Sequence, residues 1–292
     1  MITYDSVEFF VKTAAEQNTT ISALVLDDQA ELFALPKEDV FSRMAASYEV
    51  MKEGARAGAG QNGISASGLS GNGGYKLTAY AQQKAFSGAF CANAIARAVA
   101  LAEHNASMGK IVAAPTAGSC GILPAALITM QEELSLPDEA VVMALFTAGA
   151  FGMVIARQAS ISGAEGGCQA ECGSAAAIAA AALVELAGGS PAVCSTACAI
   201  ALSNQMGLVC DPIAGLVEVP CIVRNAGGVT CAITAAELAL GGIMFPVPTD
   251  EVIGAMREVG VALPLSLRET AQGGLAATSF GRACKLDCTQ MA

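Results

Sequence analysis

The middle of the chain contains almost no positive charge. Between Lys110 and Arg257 the only basic residues are Arg157 and Arg224. Of all 292 residues, 54% are hydrophobic and 14% are charged. A long stretch of this kind cannot face water, so we expect it to be buried against the rest of the chain, which is long enough for a sizeable core.

The hydrophobic content raises the question of a membrane span. The uncharged run Ala140–Ala156 falls short of the roughly 20 apolar residues that cross a bilayer, and the longer run Leu186–Cys210 contains polar residues and has no flanking Lys or Arg anchors. We therefore predict buried helices of a soluble protein. A membrane protein with purely structural cysteines is a competing interpretation.

Charge and the N-terminal sequence bear on partners and location. The net charge is -11, and the 15 Lys and Arg residues form no basic stripe, which argues against a nucleic-acid partner. The first residues, MITYDSVEFFVK, carry acids and lack the basic segment of a secretory signal. The expected location is the cytoplasm.

Helical periodicity dominates the chain, and β-type alternation is scarce. The segment GSAAAIAAAALVELA consists mainly of strong helix formers with small side chains, so it predicts a central helix that its neighbours approach closely. Only Ile21–Phe33 suggests a strand or two. We predict a single all-α domain over residues 1–292, with a flexible tail from about Gln272. The other predicted helices are Val7–Gln17, Asp39–Gly58, Leu77–Ser107 with a break at Ser87–Gly88, Pro191–Met206, Arg224–Gly241 and Thr249–Val259.

Eleven cysteines in a large cytosolic chain indicate free thiols and metal ligands rather than disulfides. Cys168, Cys210 and Cys221 each lie beside glycine or proline, in GGC, LVCDP and EVPC. Such loop positions suit thiolates that face a metal cluster. Three thiolates leave one iron of a four-iron cluster without a protein ligand, and an open position is typical of a catalytic metal site.

Three segments carry a family resemblance. SISGAEGGCQAECGSAAA, MGLVCDPIAGLVEVPCIVRNA and APTAGSCGILPAAL resemble the α subunit of iron–sulfur L-serine dehydratases, and the likeness extends over essentially the whole chain. The steps of 42 residues from Cys168 to Cys210 and of 11 from Cys210 to Cys221 agree with that family's cluster-ligand pattern.

The resemblance implies a [4Fe-4S] cluster bound by Cys168, Cys210 and Cys221, whose open iron acts as a Lewis acid on the β-hydroxyl of L-serine, much as in aconitase. Loss of the α-proton and the hydroxyl gives aminoacrylate, and then pyruvate and ammonia. This reaction needs no pyridoxal phosphate.

Two glycine-rich loops are candidates for binding the substrate. The TAGSCG turn leads into a helix whose N–H groups could hold the serine carboxylate, with Thr116, Gly118 and Ser119 as its candidate residues. The SASGLSGNGG loop resembles a substrate-side loop of the family. Ordinary turn chemistry is the alternative for both. The candidates in the second loop are Ser67, Gly68 and Ser70.

The remaining cysteines have other predicted roles. Cys172 lies one helical turn from Cys168 and could reach the cluster, but the family pattern uses the first of the two. Cys120 could line the pocket. Single-chain relatives place a C-terminal cysteine on the open iron, whereas four residues follow Cys288 here. Assigned to packing are Cys91, Cys194, Cys198 and Cys231; in the tail are Cys284 and Cys288.

Charged residues near the cysteines suggest an ion pair. Arg224 with Asp211 or Glu218 is the candidate that would offset acids beside a thiolate-ligated cluster. A simple surface pair is the alternative.

No clear base for the α-proton is present. His104 is the only histidine, and Lys76 could serve only if it were desolvated. In the family, a histidine in a Ser-Ser-Ser-His-Thr-type segment of the β portion serves the active site, and this chain has no such segment. We therefore expect a heterodimer in which a separate β subunit supplies the base.

Two other classes of function stay open. The same cluster could serve an L-cysteine desulfidase or an L-threonine dehydratase. An iron–sulfur electron carrier or scaffold would instead use four protein ligands and no substrate loop.

Overall fold

A computed structural model describes residues 4–284 of the chain. These residues form α-helices joined by short loops and helical turns, and within them no β-strand forms. The predicted all-α fold is confirmed. The helices are α1 (Val7–Glu16), α2 (Ile21–Phe33), α3 (Lys37–Gly60), α4 (Gly73–Ala81), α5 (Gly88–Ala106), α6 (Ile122–Leu134), α7 (Asp138–Gln158), α8 (Gly163–Gly166), α9 (Ser174–Leu186), α10 (Pro191–Gln205), α11 (Cys221–Leu240), α12 (Thr249–Ala262) and α13 (Ser279–Ala283).

The suggestion of strands in Ile21–Phe33 is wrong, because this segment is helix α2. The Thr20 side chain caps its first turn by accepting a hydrogen bond from the Ala23 N–H. Ile21 and Val25, four residues apart, are both buried, as one face of a helix requires. Helical packing and capping thus outweigh the weak β propensity of a few aliphatic residues.

The other predicted helices are present with small shifts at their ends. The predicted break at Ser87–Gly88 is real, since α4 ends at Ala81 and α5 begins at Gly88. Helix α11 begins at Cys221, three residues before the predicted start. This extension places a candidate cluster cysteine in the first turn of a helix.

Helix α9 is the centre of the fold. Every residue from Ser174 to Val184 is buried, and α9 packs against α6, α7, α10 and α11. Because most of its side chains are alanine, these four helices can surround it closely. The prediction of a central small-residue helix is confirmed.

A second close approach brings α3 and α4 against α5. A Cβ atom at Gly58 of α3 would lie 2.0 Å from the Ala100 carbonyl oxygen, and one at Gly74 of α4 would lie 2.5 Å from the Ala100 Cα atom. No larger side chain fits at either position without moving a helix. The glycines therefore set the spacing of three helices.

Carboxylates from distant parts of the chain cap three helix N-termini. Glu103 of α5 accepts hydrogen bonds from the N–H groups of Gly73 and Gly74 at 2.9 and 2.8 Å, at the start of α4. Asp250 and Glu185 accept from the first N–H groups of α1 and α2. Each carboxylate interacts with unpaired N–H groups and the positive end of a helix dipole.

Among the described residues, α7 is the one helix that is long and apolar enough to cross a membrane. It is also a core helix: 61% of its most apolar window is buried inside the protein, and it packs against α2, α3 and α9.

The predicted tail begins with regular structure. A 3₁₀ turn spans Gly274–Ala277 and α13 follows it. Ala276 in that turn is buried. Residues 285–292, with Cys288, lie outside the described residues, so the flexibility of the tail stays a prediction.

We expect Gly58→Ala to lower the free energy of unfolding by at least about 2 kcal/mol, because the new methyl group would meet the Ala100 backbone. Gly254→Ala is the matched control. It lies inside α12, and a Cβ there meets no atom within 4 Å, so it should be neutral or stabilise by up to about 1 kcal/mol. Urea denaturation of both variants measures the difference. Equal free energies of unfolding for the two variants would show that α3 can move away from α5 without loss of stability.

Candidate active site

Cys168 lies at a junction between two helices. Gly167 has φ +77° and ends α8, Cys168 follows, and a π-helical turn (Gln169–Gly173) leads directly into α9. The Gln169 side chain holds this turn by donating to the Met256 carbonyl and accepting from the Gly207 N–H, both at 2.9 Å. A π turn widens the helix locally and is frequent at functional sites.

Cys210 lies in an extended segment that is held from two directions. Its backbone N–H donates to Leu267, and its carbonyl accepts from Glu269, both at 2.8 Å. Arg224 donates to the Val209 carbonyl and to Asp211 Oδ1, also at 2.8 Å each. The Arg224 guanidinium thus binds the backbone of Val209, just before Cys210, and the side chain of Asp211, just after it.

The Arg224–Asp211 ion pair confirms one of the two predicted pairings, and it is largely buried rather than a surface pair, with side-chain exposures of 15% and 4%. The second Asp211 oxygen accepts from the Leu275 N–H at 2.7 Å. The ion pair therefore also ties the C-terminal 3₁₀ turn to the Cys210 segment.

Cys221 is the first residue of α11 and is 6% exposed. The buried Asn225, one turn later, donates to the Cys221 and Gly118 carbonyls at 2.9 and 2.8 Å and accepts from the Gly121 N–H at 2.9 Å. One amide thus joins the first turn of α11 to the TAGSCG turn.

Cys168 and Cys210 converge on the carboxylate of Glu171. Sγ of Cys168, Sγ of Cys210 and a Glu171 carboxylate oxygen lie within 4.8 Å of one another. Glu171 Oε2 is 4.0 Å from Cys168 Sγ and 3.9 Å from Cys210 Sγ. Cys221 is not part of this compact group. The described cysteines are free thiols.

The charges within the site are coupled. Hydrogen bonds from the Cys172 and Cys210 thiols lower the pKa of Cys168, with a further contribution from Arg224. Burial, followed by the charge of Cys168, raises the pKa of Cys221 to about 12 and that of Glu171 to about 7. Cys168 is therefore the thiol that most readily becomes a thiolate, and a thiolate is the form that binds metal.

The first candidate substrate loop lies against this group. Gly118 is next to Glu171: a Cβ there would be 3.3 Å from Glu171 Oε1. The hydroxyl groups of Thr116 and Ser119 are 3.0 Å apart. Burial and the charge of Cys168 raise the pKa of Glu171, and an interaction with the Thr116 side chain partly offsets that rise. The structure thus places Thr116 and Gly118 beside Glu171, and Ser119 contacts Thr116.

The second candidate loop binds a carboxylate of the protein itself. The hydroxyls of Ser65 and Ser67 donate to Glu218 at 2.7 and 2.8 Å, and Ser70 also donates to it. Gly68 forms the turn between these serines with φ +75°. Glu218 is 6% exposed, so it anchors the loop instead of pairing with Arg224.

The two candidates for the base, His104 and Lys76, make no described contact with the cysteine site. The His104 ring packs against Gly109 and Gly54 at the end of α5, and Lys76 is exposed on α4. Neither hydrogen-bonds to a residue of the cysteine site among the bonds that the structure describes.

The other described cysteines include one in the π turn of the site, two near other loops or chain segments, and four within helices. Cys172 is buried in the π turn, and its interaction with Cys168 lowers the pKa of Cys168. Cys120 is buried with its sulfur 3.9 Å from the Leu101 carbonyl oxygen of α5, and Cys284 is half-buried after α13. The cysteines assigned to packing lie within helices: Cys91 in α5, Cys194 and Cys198 in α10, and Cys231 in α11.

Sequence reasoning missed Glu171 and Asn225. Each follows a candidate cysteine at helical spacing, three residues after Cys168 and four after Cys221. Residues at these spacings share a helix face, which is the signal that could have identified them.

Comparison with known proteins agrees with the geometry. Residues 16–276 match the family model described as serine dehydratase alpha chain. The chain belongs to the serine dehydratase alpha chain family. It is 48% identical over 280 residues to a probable L-serine dehydratase alpha chain of Bacillus subtilis (strain 168), which covers 96% of this chain and 93% of that protein.

Two further family relatives show different extents of similarity. An L-serine dehydratase alpha chain of Peptoniphilus asaccharolyticus is 43% identical over 273 residues, covering 93% of this chain and 94% of the relative. An L-serine dehydratase of Escherichia coli (strain K12) is 45% identical over 181 residues, which are 61% of this chain but only 40% of that protein.

In this family member, Asn225→Ala should lower the free energy of unfolding by about 2–4 kcal/mol, because it leaves the buried Gly121 N–H and Gly118 carbonyl without a partner. Thr234→Ala is the control on the exposed side of the same helix and should change stability by less than about 0.5 kcal/mol. Thermal denaturation compares the two. A mild effect of Asn225→Ala would mean that the TAGSCG turn is held by other contacts.

Proposed function

We propose that this chain is the cluster-bearing catalytic subunit of an L-serine dehydratase, an L-serine ammonia-lyase that converts L-serine to pyruvate and ammonia in amino-acid degradation. The convergence of the buried Cys168 and Cys210 sulfurs carries the proposal. Membership of the serine dehydratase alpha chain family supports the reaction class.

The residues present fit a [4Fe-4S] cluster. Cys168, Cys210 and Cys221 are free, buried thiols, and thiolate is the ligand that iron–sulfur clusters require. A cluster is larger than a single ion, so a third thiol outside the compact Cys168–Cys210 group is compatible with it. When bound, such a cluster with one iron not ligated by protein supplies a Lewis acid for the departing hydroxyl group.

The chain's own residues hold the substrate and exclude water. The three cysteines are 1%, 2% and 6% exposed, so the site is largely closed to solvent. We propose that the turn formed by Thr116, Gly118 and Ser119 binds the serine carboxylate through peptide N–H groups that precede α6. The absence of a side chain at Gly118 leaves room for Glu171 beside it.

Ser67, Gly68 and Ser70 belong to the proposed substrate-side loop. Their segment is fixed to Glu218, and the neighbouring Val217 lies beside the Gly118 turn. In the proposed site the serine hydroxyls therefore keep this loop in place next to the substrate turn.

We propose that the base comes from a β subunit. Among the described residues, neither Lys76 nor His104 contacts the cysteine site. Relatives that this chain matches over 93% and 94% of their length are named alpha chains, and that name supports a partner chain. The proposal includes no pyridoxal phosphate, no nucleic-acid partner and no membrane attachment. It places the enzyme in the cytoplasm.

Cys210→Ser should reduce the iron content of the anaerobically purified protein by at least about tenfold, since a serine hydroxyl is a much poorer ligand for iron in such a cluster than a thiolate. Iron and sulfide analysis with visible absorption spectroscopy measures this. Cys231→Ser is the matched control. Cys231 is half-buried in α11, where its thiol lies 3.7 Å from the Ala201 carbonyl oxygen, so its iron content should stay at the wild-type level. Retention of iron by Cys210→Ser would contradict the ligand assignment.

The chain alone should form no pyruvate from L-serine under anaerobic conditions, and addition of the β subunit should restore turnover, because the base is missing without it. Coupled assays of pyruvate, sulfide and oxobutyrate, with L-serine, L-cysteine and L-threonine as substrates, check both the need for a partner and the substrate. Full turnover by the isolated chain would refute the division of the site. Sulfide as the main product would favour a desulfidase.

A further inference from the structure

We propose that the carboxylate of Glu171 binds the α-ammonium group of the amino-acid substrate. The inference rests on the proposed function, because it assumes that an amino acid enters the cysteine site. It adds a residue and a role that the cluster-ligand pattern does not contain.

The position of Glu171 is the first argument. Its carboxylate lies about equally far from the sulfurs of Cys168 and Cys210, at 4.0 and 3.9 Å. Two glycines leave space for it. A Cβ at Gly163 would be 2.6 Å from Glu171 Oε2, and one at Gly118 would be 3.3 Å from Oε1. The carboxylate therefore occupies a slot between the cluster cysteines and the proposed substrate turn.

The charges around Glu171 are the second argument. Among the described residues, no Lys or Arg forms an ion pair with this carboxylate. Arg224, the nearby cation, is bound to Asp211 and to the Val209 carbonyl. Glu269 adds further negative charge. A largely buried carboxylate is unfavourable without a cationic partner, and the substrate can supply one.

The chemistry of the substrate is the third argument. L-serine carries a carboxylate, a β-hydroxyl and an ammonium group with three N–H donors. The Gly118 turn suits the first group and the cluster the second, which leaves the ammonium for an anionic acceptor. Glu171 lies between these two subsites. Such an acceptor would distinguish an amino acid from the corresponding hydroxy acid, because the hydroxy acid has no positive charge to offer.

The test compares three small molecules on the anaerobic holoenzyme with its β subunit. L-serine is the substrate. L-glycerate keeps the carboxylate and β-hydroxyl of serine but has a hydroxyl in place of the ammonium. L-alanine keeps the ammonium and has no leaving group, so calorimetry can measure its binding without turnover.

For Glu171→Gln we expect the KM for L-serine and the Kd for L-alanine each to rise by at least about tenfold, as loss of a buried charge pair requires. The inhibition constant of L-glycerate should stay within about twofold of wild type, since glycerate makes no ion pair there. Glu171→Asp, which keeps the charge, should recover part of the L-alanine affinity. Glu165→Gln, an exposed acid on α8, should leave all three constants unchanged.

Three results would overturn the assignment. One is unchanged L-alanine affinity in Glu171→Gln. Another is an equal loss for L-alanine and L-glycerate, which would mean a general effect on site shape. The third is loss of iron from Glu171→Gln while Glu165→Gln keeps its iron, which would mean that Glu171 helps to hold the cluster. If wild-type protein binds no iron and does not turn over L-serine, the proposed function fails, whereas the L-alanine titration still reports on Glu171.

Discussion

The packing of α9 is the constraint on which the site depends. Eleven consecutive residues of this helix, Ser174 to Val184, are buried, and four other helices surround it. The π turn that carries Glu171 and Cys172 continues directly into α9, so neither residue can shift along the helix axis without disturbing the buried packing of α9. Cys210 approaches this site from an extended segment and Cys221 from the first turn of α11, and polar side chains hold both in place. Arg224 fixes Cys210 and Asn225 fixes Cys221.

Several buried and half-buried acids of the chain are stabilised without basic residues. Glu103, Glu185 and Asp250 accept from helix N-termini, and Glu218 accepts from serine hydroxyls. Backbone and hydroxyl donors can stabilise a carboxylate at such positions, which explains how a chain of net charge -11 can have a core with so few cations. Glu171 differs from these four, because its described neighbours include thiols and a single hydroxyl. This contrast is what connects Glu171 to binding rather than to folding.

Much of the fold was predictable from periodicity and composition, and the reasons are local. Helices such as α9 and α12 follow from residue propensity and spacing, which act over a few neighbouring residues. Ile21–Phe33 forms a helix because Thr20 caps its first turn and one face is buried, and a further contact with its first N–H groups comes from Glu185, 164 residues along the chain. The same limit applies to the site. The prediction of loop positions holds for Cys210, whereas Cys168 has helical backbone angles and Cys221 begins α11. The pairing of Arg224 with Asp211 rather than Glu218 depends on where the serine loop docks, and no sequence spacing encodes that.

The local charges determine how an amino acid can be oriented in the proposed site. Cys168 readily becomes a thiolate, and Glu171 in its ionised form adds negative charge, as does Glu269 near Glu171. Such a field attracts the ammonium end of a zwitterion and repels its carboxylate. In the proposed site the substrate carboxylate binds the peptide N–H groups of the Gly118 turn, and the ammonium group binds Glu171 beside that turn. With these two groups held, the molecule can still rotate about the line that joins them, and a contact between the β-hydroxyl and the cysteine site is the third point that would fix its orientation. On this arrangement the charges of the chain determine which end of the substrate faces the cluster, and a base from the partner needs only to reach the α-carbon.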